Sequence, residues 1–455
     1  MPKKIVIIGG GISGLAVLHF LKKRYPSQND AQIFLFEKND YAGGTARTIS
    51  KGPYVFEAGP NGFLSSRLET LEFVKEIGLE TALIAASNES SERFIFLRNT
   101  LHALPLSPIK FFSFKPISFS GKFRILGEFF VKKGNDPDET IYDFGVRRLG
   151  VEFTRVILDP FVLGVFGGDV AKLNLKAAIP RIYEIEQTYG SLLKGSLNLA
   201  LKARGKTKEK TRIGQPKGIL MSFKKGMGQL SESIAQKYAD SVRLNNPVQG
   251  VQKSGQEYLV TTKNEKFTAN EVYVCTPAYH ASQLLAEISP VLSECLMKIY
   301  YAPVAVAGFA FEKSAFLKPP KGFGYLIPSS EKKNVLGAVF SSCIFPGRSD
   351  QEHVLIQAMI GGAANKNIAE SSREELAALA AQELQSTLKI KGPPVETFFA
   401  FWPKAIPQYT VDYLKVVEDI KKELAGLKGL SLVSNYIGGV SLNDCILNAK
   451  KAVGS

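Results

Sequence analysis

The chain is poor in the residues from which metal and thiol sites are made. It carries four cysteines and four histidines in 455 residues, and no two cysteines form a CxxC pair. Zinc ribbons, redox dithiols and histidine-based triads therefore lack raw material, and no metal site is expected. Cysteine this sparse reads as reduced thiols on the cytosolic side of the cell. Long apolar runs are missing too. Nowhere do about 18 apolar residues follow one another, so no transmembrane helix is expected. The expected location is cytoplasmic, or peripheral on the cytoplasmic face of a membrane. Neither zinc spacing, nor a helix-turn-helix signature, nor an RNA-binding aromatic motif accompanies the net charge of +15, which argues against a nucleic-acid partner. With 45% hydrophobic residues, pervasive disorder is excluded. The length exceeds one typical core and calls for two or three domains.

What is present begins at the N-terminus. Lys3 and Lys4 precede an apolar run as in a signal peptide, but Gly9, Gly10, Gly11 and Gly14 interrupt it. Residues 5–8 read as a buried strand, 15–21 as a helical run, and 33–36 as a second strand ending at Glu37. This is GxGxxG in its required context. Gly9 permits the tight turn, Gly11 lets the backbone approach a pyrophosphate, and Gly14 lets the helix pack on the sheet. Gly10, Ile12 and Ser13 complete a turn whose free N–H groups face the phosphates. Glu37 can accept the adenosine ribose hydroxyls, which argues against a 2′-phosphate.

Just beyond Glu37 and Lys38, Ala42-Gly43-Gly44-Thr45-Ala46-Arg47 resembles the GGxxR motif of the amine-oxidase-like flavoproteins. Two glycines allow a close chain crossing, and Arg47 can reach phosphates bidentately. Glu57-Ala58-Gly59-Pro60-Asn61-Gly62 resembles the same group's ExGP turn beside the flavin. Pro247-Val248 is similar to the stretch whose valine backbone meets adenine. Val440-Ser441-Leu442, opening a last helix, matches the terminal flavin segment. The resemblance implies FAD, held by these residues together with Trp402. It also implies an α/β fold: a discontinuous Rossmann-like FAD-binding domain (1–85, 221–280 and 401–455), an inserted mixed α+β substrate domain (281–400) and a helical insertion (86–220).

Several stretches are more specific. Arg93-Phe94-Ile95-Phe96 with Leu101-His102-Ala103-Leu104-Pro105, the run from Asp159 to Asp169, and Trp402-Pro403-Lys404-Ala405-Ile406-Pro407-Gln408-Tyr409 all resemble segments of the protoporphyrinogen-oxidase family. The likeness covers essentially the whole chain in order. It implies that a porphyrinogen is oxidised to a porphyrin for haem biosynthesis, in three two-electron cycles through the flavin. Oxygen is the implied acceptor and hydrogen peroxide the product. Carried over by position, Arg93 pairs with a propionate and the Gly164 carbonyl meets a pyrrole N–H. Leu326 and Val339 sandwich the macrocycle. Met359 stands where plant-type members have phenylalanine. No acid–base side chain is implied. Arg93 favours protoporphyrinogen over coproporphyrinogen. An amine oxidase or desaturase of the same fold, and a non-catalytic flavin-binding adaptor, are the other readings.

Two basic segments stand apart. Residues 202–217 carry seven Lys/Arg against one Glu, without apolar period, and read as a mobile surface loop. Residues 110–133 carry six Lys/Arg against one Glu, interleaved with seven phenylalanines. A surface seated among lipid headgroups and a helical hairpin burying its own rings both account for that pattern. Oligomeric state stays open, a homodimer included.

Overall fold

The computed structural model describes residues 2–105, 107–204, 218–365, 368 and 370–454. Of the basic segment at 202–217, residues 205–217 lie outside the described residues.

Two sheets organise the molecule. The first is a five-stranded parallel sheet ordered Val242–Arg243, Ala31–Phe36, Lys3–Ile8, Glu271–Val274 and Leu430–Leu432. Its strands come from three stretches of the chain, 3–36, 242–274 and 430–432. The central strand is apolar because both faces are covered: Ile5 and Ile7 belong to one core, Val6 and Ile8 to another. Helices Ile12–Arg24 and Leu442–Gly454 pack together on the first face through Leu15, Leu18, Ile446, Ala449 and Val453.

The second sheet has seven strands, in the order Glu396–Pro407, Tyr301–Glu312, His353–Gly361, Val335–Val339, Gly324–Leu326, Arg93–Leu97 and Thr100–Ala103. Side chains alternate faces along each strand. Ala305, Phe309, Tyr325, Ala338, Ile356 and Phe399 point to one face, where helix Arg373–Leu388 covers them with Leu376, Ala380 and Leu384. That helix starts with a capping box: Ser372 Oγ accepts the Glu375 amide while the Glu375 carboxylate accepts the Ser372 amide. The opposite face carries the candidate substrate residues.

Residues 108–204 are helical in large part. Here Arg148 is fully buried among carboxylates, with Nη1 donating to Glu128 at 2.8 Å and Nε to Glu186 at 2.6 Å. Among the described residues no helix is long and apolar enough to cross a membrane.

Candidate functional site

The glycine turn sits at the C-terminal edge of the parallel sheet. The Gly9 amide donates to the Phe36 carbonyl at 2.8 Å and the Gly10 amide to Glu37 Oε2 at 2.7 Å. Gly9 has φ +105°, a conformation that disfavours any side chain. A Cβ on Gly14 would overlap the Gly9 carbonyl oxygen, so this glycine is needed for helix Ile12–Arg24 to seat on the turn. A Cβ on Gly11 would meet nothing within 4 Å. That position is open on the side where a phosphate would approach. Ile12 is half-buried and Ser13 buried.

Glu37 is buried, and its Oε1 takes both the backbone and side-chain N–H of Asn39. A carboxylate has about four lone-pair sites, so these bonds leave room for a ribose hydroxyl. Lys38 turns elsewhere: its Nζ lies 3.2 Å from His280 Nε2. Burial, with Lys38 and Lys404 nearby, lowers the His280 pKa. Val248 starts the strand after Asn246, whose amide donates to the Glu37 carbonyl at 2.9 Å. The valine therefore stands two residues beyond the contact with Glu37.

A parallel bridge joins Gly11 to Gly43, and Gly44 follows. The Arg47 guanidinium stacks 4.0 Å from the Tyr41 ring centroid. Arg47, Ala58, Phe398 and Trp402 line one cavity of ≈ 660 Å³, to which Lys51 and Arg373 also contribute. Trp402 Nε1 donates to the Ala58 carbonyl at 2.7 Å, fastening the turn Gly59, Pro60, Asn61 and Gly62 to the edge of the seven-stranded sheet. Val440 packs beside Tyr409 and Tyr413. Ser441 Oγ and the Asp444 carboxylate cap the last helix, at 3.2 Å to the Asp444 amide and 3.3 Å to the Ser441 amide. Asp444 also places a negative charge in the first turn, at the helix end expected to face a flavin.

Two polar atoms test whether a dinucleotide fits. Thr276 Oγ1 and Asn246 Oδ1 are buried with no partner among the described residues. Thr276 adjoins Gly9, whose Cβ would meet its Cγ2 at 3.1 Å, and Asn246 adjoins Glu37. A glycine-lined turn with unpaired polar atoms at both ends fits FAD. Sequence reasoning missed both residues. Thr276, directly after a buried strand that ends at a proline turn, gave the one available signal.

The candidate substrate residues gather on one sheet face. Arg93 pairs with Gly324, Gly324 with Val339, and Val339 with Gln357. In the adjacent row Leu326 pairs with Gly337, Gly337 with Met359, and Met359 with Val306. Trp402, paired with Val304, ends the next row. One face therefore runs from an exposed arginine, across glycine and aliphatic side chains, to the tryptophan that lines a cavity with Arg47. Leu326, Val339 and Met359 are half-buried, and the Arg93 guanidinium lies 5.0 Å from the Phe323 ring centroid.

Gly164 belongs to helix Asp159–Phe166, which a π-helical turn at Thr154–Leu158 precedes. Pro160 cannot donate the hydrogen bond a regular helix would need there. A Cβ on Gly164 would overlap Leu326 Cδ2. The two residues therefore border one space, but a ring cannot pass between them. Phe161 and Val165, on the same helix, are exposed apolar neighbours. The four histidines each have a partner: His19 with Tyr238 and Glu76, His102 with the Leu97 carbonyl, His280 with Lys38 and His353 with Asp350. Among the described residues no group of three or more His, Cys, Asp or Glu could hold a metal.

Comparison with known proteins agrees with this geometry. The model of the flavin containing amine oxidoreductase family matches residues 13–454. Protoporphyrinogen oxidase 1 of Spinacia oleracea is 33% identical over 98% of this chain and 82% of its own. Coproporphyrinogen III oxidase of Bacillus subtilis is 26% identical over 99% of this chain and 97% of its own. A solved structure from Exiguobacterium sp. 255-15 superposes with a TM-score of 0.84 at 21% identity, covering 100% of this chain and 98% of that one, and shares the fold. The cofactor is FAD. The chain belongs to the flavin-containing amine oxidoreductase family, among relatives named protoporphyrinogen oxidases.

Proposed function

We propose that the protein oxidises protoporphyrinogen IX to protoporphyrin IX in haem biosynthesis, with oxygen as electron acceptor and hydrogen peroxide as product. The observation that carries this reading is the sheet face that leads from Arg93 through Val339, Leu326 and Met359 to the cofactor cavity at Trp402. Bound FAD supplies a two-electron hydride acceptor that oxygen can reoxidise. The chain supplies binding and order. The glycine turn, Glu37 and Arg47 hold the dinucleotide. Glycine and aliphatic side chains make an apolar floor for a puckered tetrapyrrole and keep water from it. Arg93 receives a propionate, and the Gly164 carbonyl accepts a pyrrole N–H. Six electrons leave in three rounds, so three oxygen molecules give three peroxides. Pyrrole nitrogens lose protons without a strong base, and His102, which shares the face of Ile95 and Leu326, is turned to the Leu97 carbonyl.

Anaerobic mixing with protoporphyrinogen and, separately, coproporphyrinogen tests the reading. Bleaching of the flavin by the first, with recovery in air and peroxide release, is expected. Faster bleaching by the second would transfer the assignment to coproporphyrinogen, the substrate in the name of the Bacillus subtilis relative. Arg93→Ala should raise KM roughly tenfold, about 1.4 kcal/mol, at unchanged FAD content. An unchanged KM removes Arg93 from the site.

The same reading includes a peripheral membrane contact. Phe119 and Phe130 are 74% and 84% exposed, and Phe123, Leu126 and Phe129 are exposed beside them. Lys194 lies over the Phe129 ring, 4.2 Å from its centroid. Leu193, Leu197 and Leu201 continue an apolar stripe along helix Leu192–Arg204. Aromatic side chains with lysines around them suit an anionic headgroup layer. Binding to phosphatidylserine vesicles should fall on raising salt to 0.5 M and in a Phe119→Ser/Phe130→Ser variant. Equal binding to neutral vesicles at both salt concentrations would exclude the electrostatic part.

A further inference from the structure

We infer that the buried Arg348–Glu57 ion pair is a positioning element that sets the flavin-side turn against the porphyrinogen-bearing sheet. The inference rests on the porphyrinogen reading above. The two side chains are 2% and 4% exposed and lie 3.0 Å apart. Glu57 is the residue before Ala58, whose carbonyl receives Trp402. Its carboxylate ties together separate parts of the cofactor site. Oε2 accepts the Thr48 hydroxyl at 2.6 Å, directly after Arg47, and Oε1 accepts the Met227 amide at 3.0 Å. Thr48 Oγ1 in turn accepts the Gly228 amide at 2.8 Å, at the start of helix Gly228–Lys237.

The other side of the pair faces the sheet. The Glu57 amide donates to Gln357 Oε1 at 3.2 Å, and Gln357 shares its row with Val339 and Arg93. Arg348 donates to Ser222 Oγ at 2.6 Å, and its carbonyl accepts the Val55 amide at 2.9 Å. Thr48, Glu57, Met227, Arg348 and Gln357 thus fix the height of the Ala58–Gly62 turn over the apolar floor. A buried ion pair is a poor device for stability alone, since desolvation offsets its attraction. Arg348 Nη1 even lacks a partner among the described residues. What the charges provide is a single geometry between the flavin-side turn and the seven-stranded sheet, and hydride transfer is steep in distance.

The test uses the full-length holoenzyme with Arg348→Met and Arg348→Lys. Flavin content, the oxidised flavin absorption spectrum, and kcat and KM per bound flavin are measured, together with anaerobic reduction by protoporphyrinogen. A positioning role predicts flavin-loaded Arg348→Met whose reduction rate per flavin falls about 10- to 100-fold. KM should be nearly unchanged, the absorption band displaced, and the rate largely restored in Arg348→Lys. A merely structural role would lower the loaded fraction and leave the rate per flavin at the parent value, which overturns the inference. If Arg348→Met does not fold, Gln357→Leu, which cuts only the contact to the Glu57 amide, carries the same comparison. Parent protein that protoporphyrinogen fails to reduce overturns the substrate reading instead. The absorption spectrum then decides the positioning role: a displaced band in the variant supports it and an identical band ends it.

Discussion

Gly11→Val protein is expected to purify folded and colourless. A Cβ at Gly11 meets no atom within 4 Å, so the valine is accommodated in the free protein. The same volume lies where the pyrophosphate must come within hydrogen-bonding distance of the turn. Far-UV circular dichroism should match the parent while absorbance near 450 nm is lost, a fall in FAD affinity of at least about 1,000-fold, or roughly 4 kcal/mol. Gly14→Val is the contrasting case. Its side chain would collide with the Gly9 carbonyl, so it should fail to fold before cofactor becomes relevant. Yellow Gly11→Val protein would mean that the phosphates take another path.

The second large effect is on stability. Arg148→Met should cost about 3–5 kcal/mol, because one change leaves the buried Glu128 carboxylate without its cation and takes one of Glu186's two arginines. Arg148 donates to Glu128, Glu186 and the carbonyls of Val131 and Gly190. Glu128 also accepts Ser191 Oγ and the amides of Leu192 and Leu193, so it caps the helix that carries the exposed leucines. The loss should be read by urea unfolding, and limited proteolysis should cut first within residues 119–204. Adding Glu128→Gln to the variant should recover part of the loss by removing a stranded charge. Unfolding at the parent's urea concentration would refute this account.

Acid should act on the same network. Burial raises the Glu186 pKa, but hydrogen bonds from Arg147 and Arg148 outweigh it and hold the carboxyl below its ordinary range. A group lowered on folding stabilises fully above its unfolded value, about 4.3 for glutamate, and that stability is lost as pH falls through the lower folded value.

The parts of the site that were legible in the sequence are those built within one local motif. The glycine turn, Glu37, the capped helix beginning after Ser372 and the C-terminal strand–turn–helix each declare themselves within some 30 residues. The strand at Lys3–Ile8 runs two residues beyond its apolar portion, because Lys3 and Lys4 are polar yet still pair with Ala31 and Gln32. What could not be read is contact between distant segments. Nothing near residues 93–95 announces a parallel pairing with 324–326. Glu57 and Arg348 are 291 positions apart, and the turn motif that marks Glu57 says nothing of its ion-pair partner. Family resemblance carried Arg93, Gly164, Leu326, Val339 and Met359; side-chain alternation then accounts for why four of them share a face.

The order of the parallel sheet also governs how the molecule is made. Lys3–Ile8 is synthesised more than 250 residues before its neighbour Glu271–Val274 and more than 400 before Leu430–Leu432. Until then the nascent chain carries an unpaired strand edge and a nucleotide cradle missing one wall. Such long-range closure is slow and leaves sticky edges exposed. Flavin that binds the closed cradle stabilises the folded state by mass action, so cells starved of riboflavin should hold folded, empty enzyme alongside a larger aggregated share.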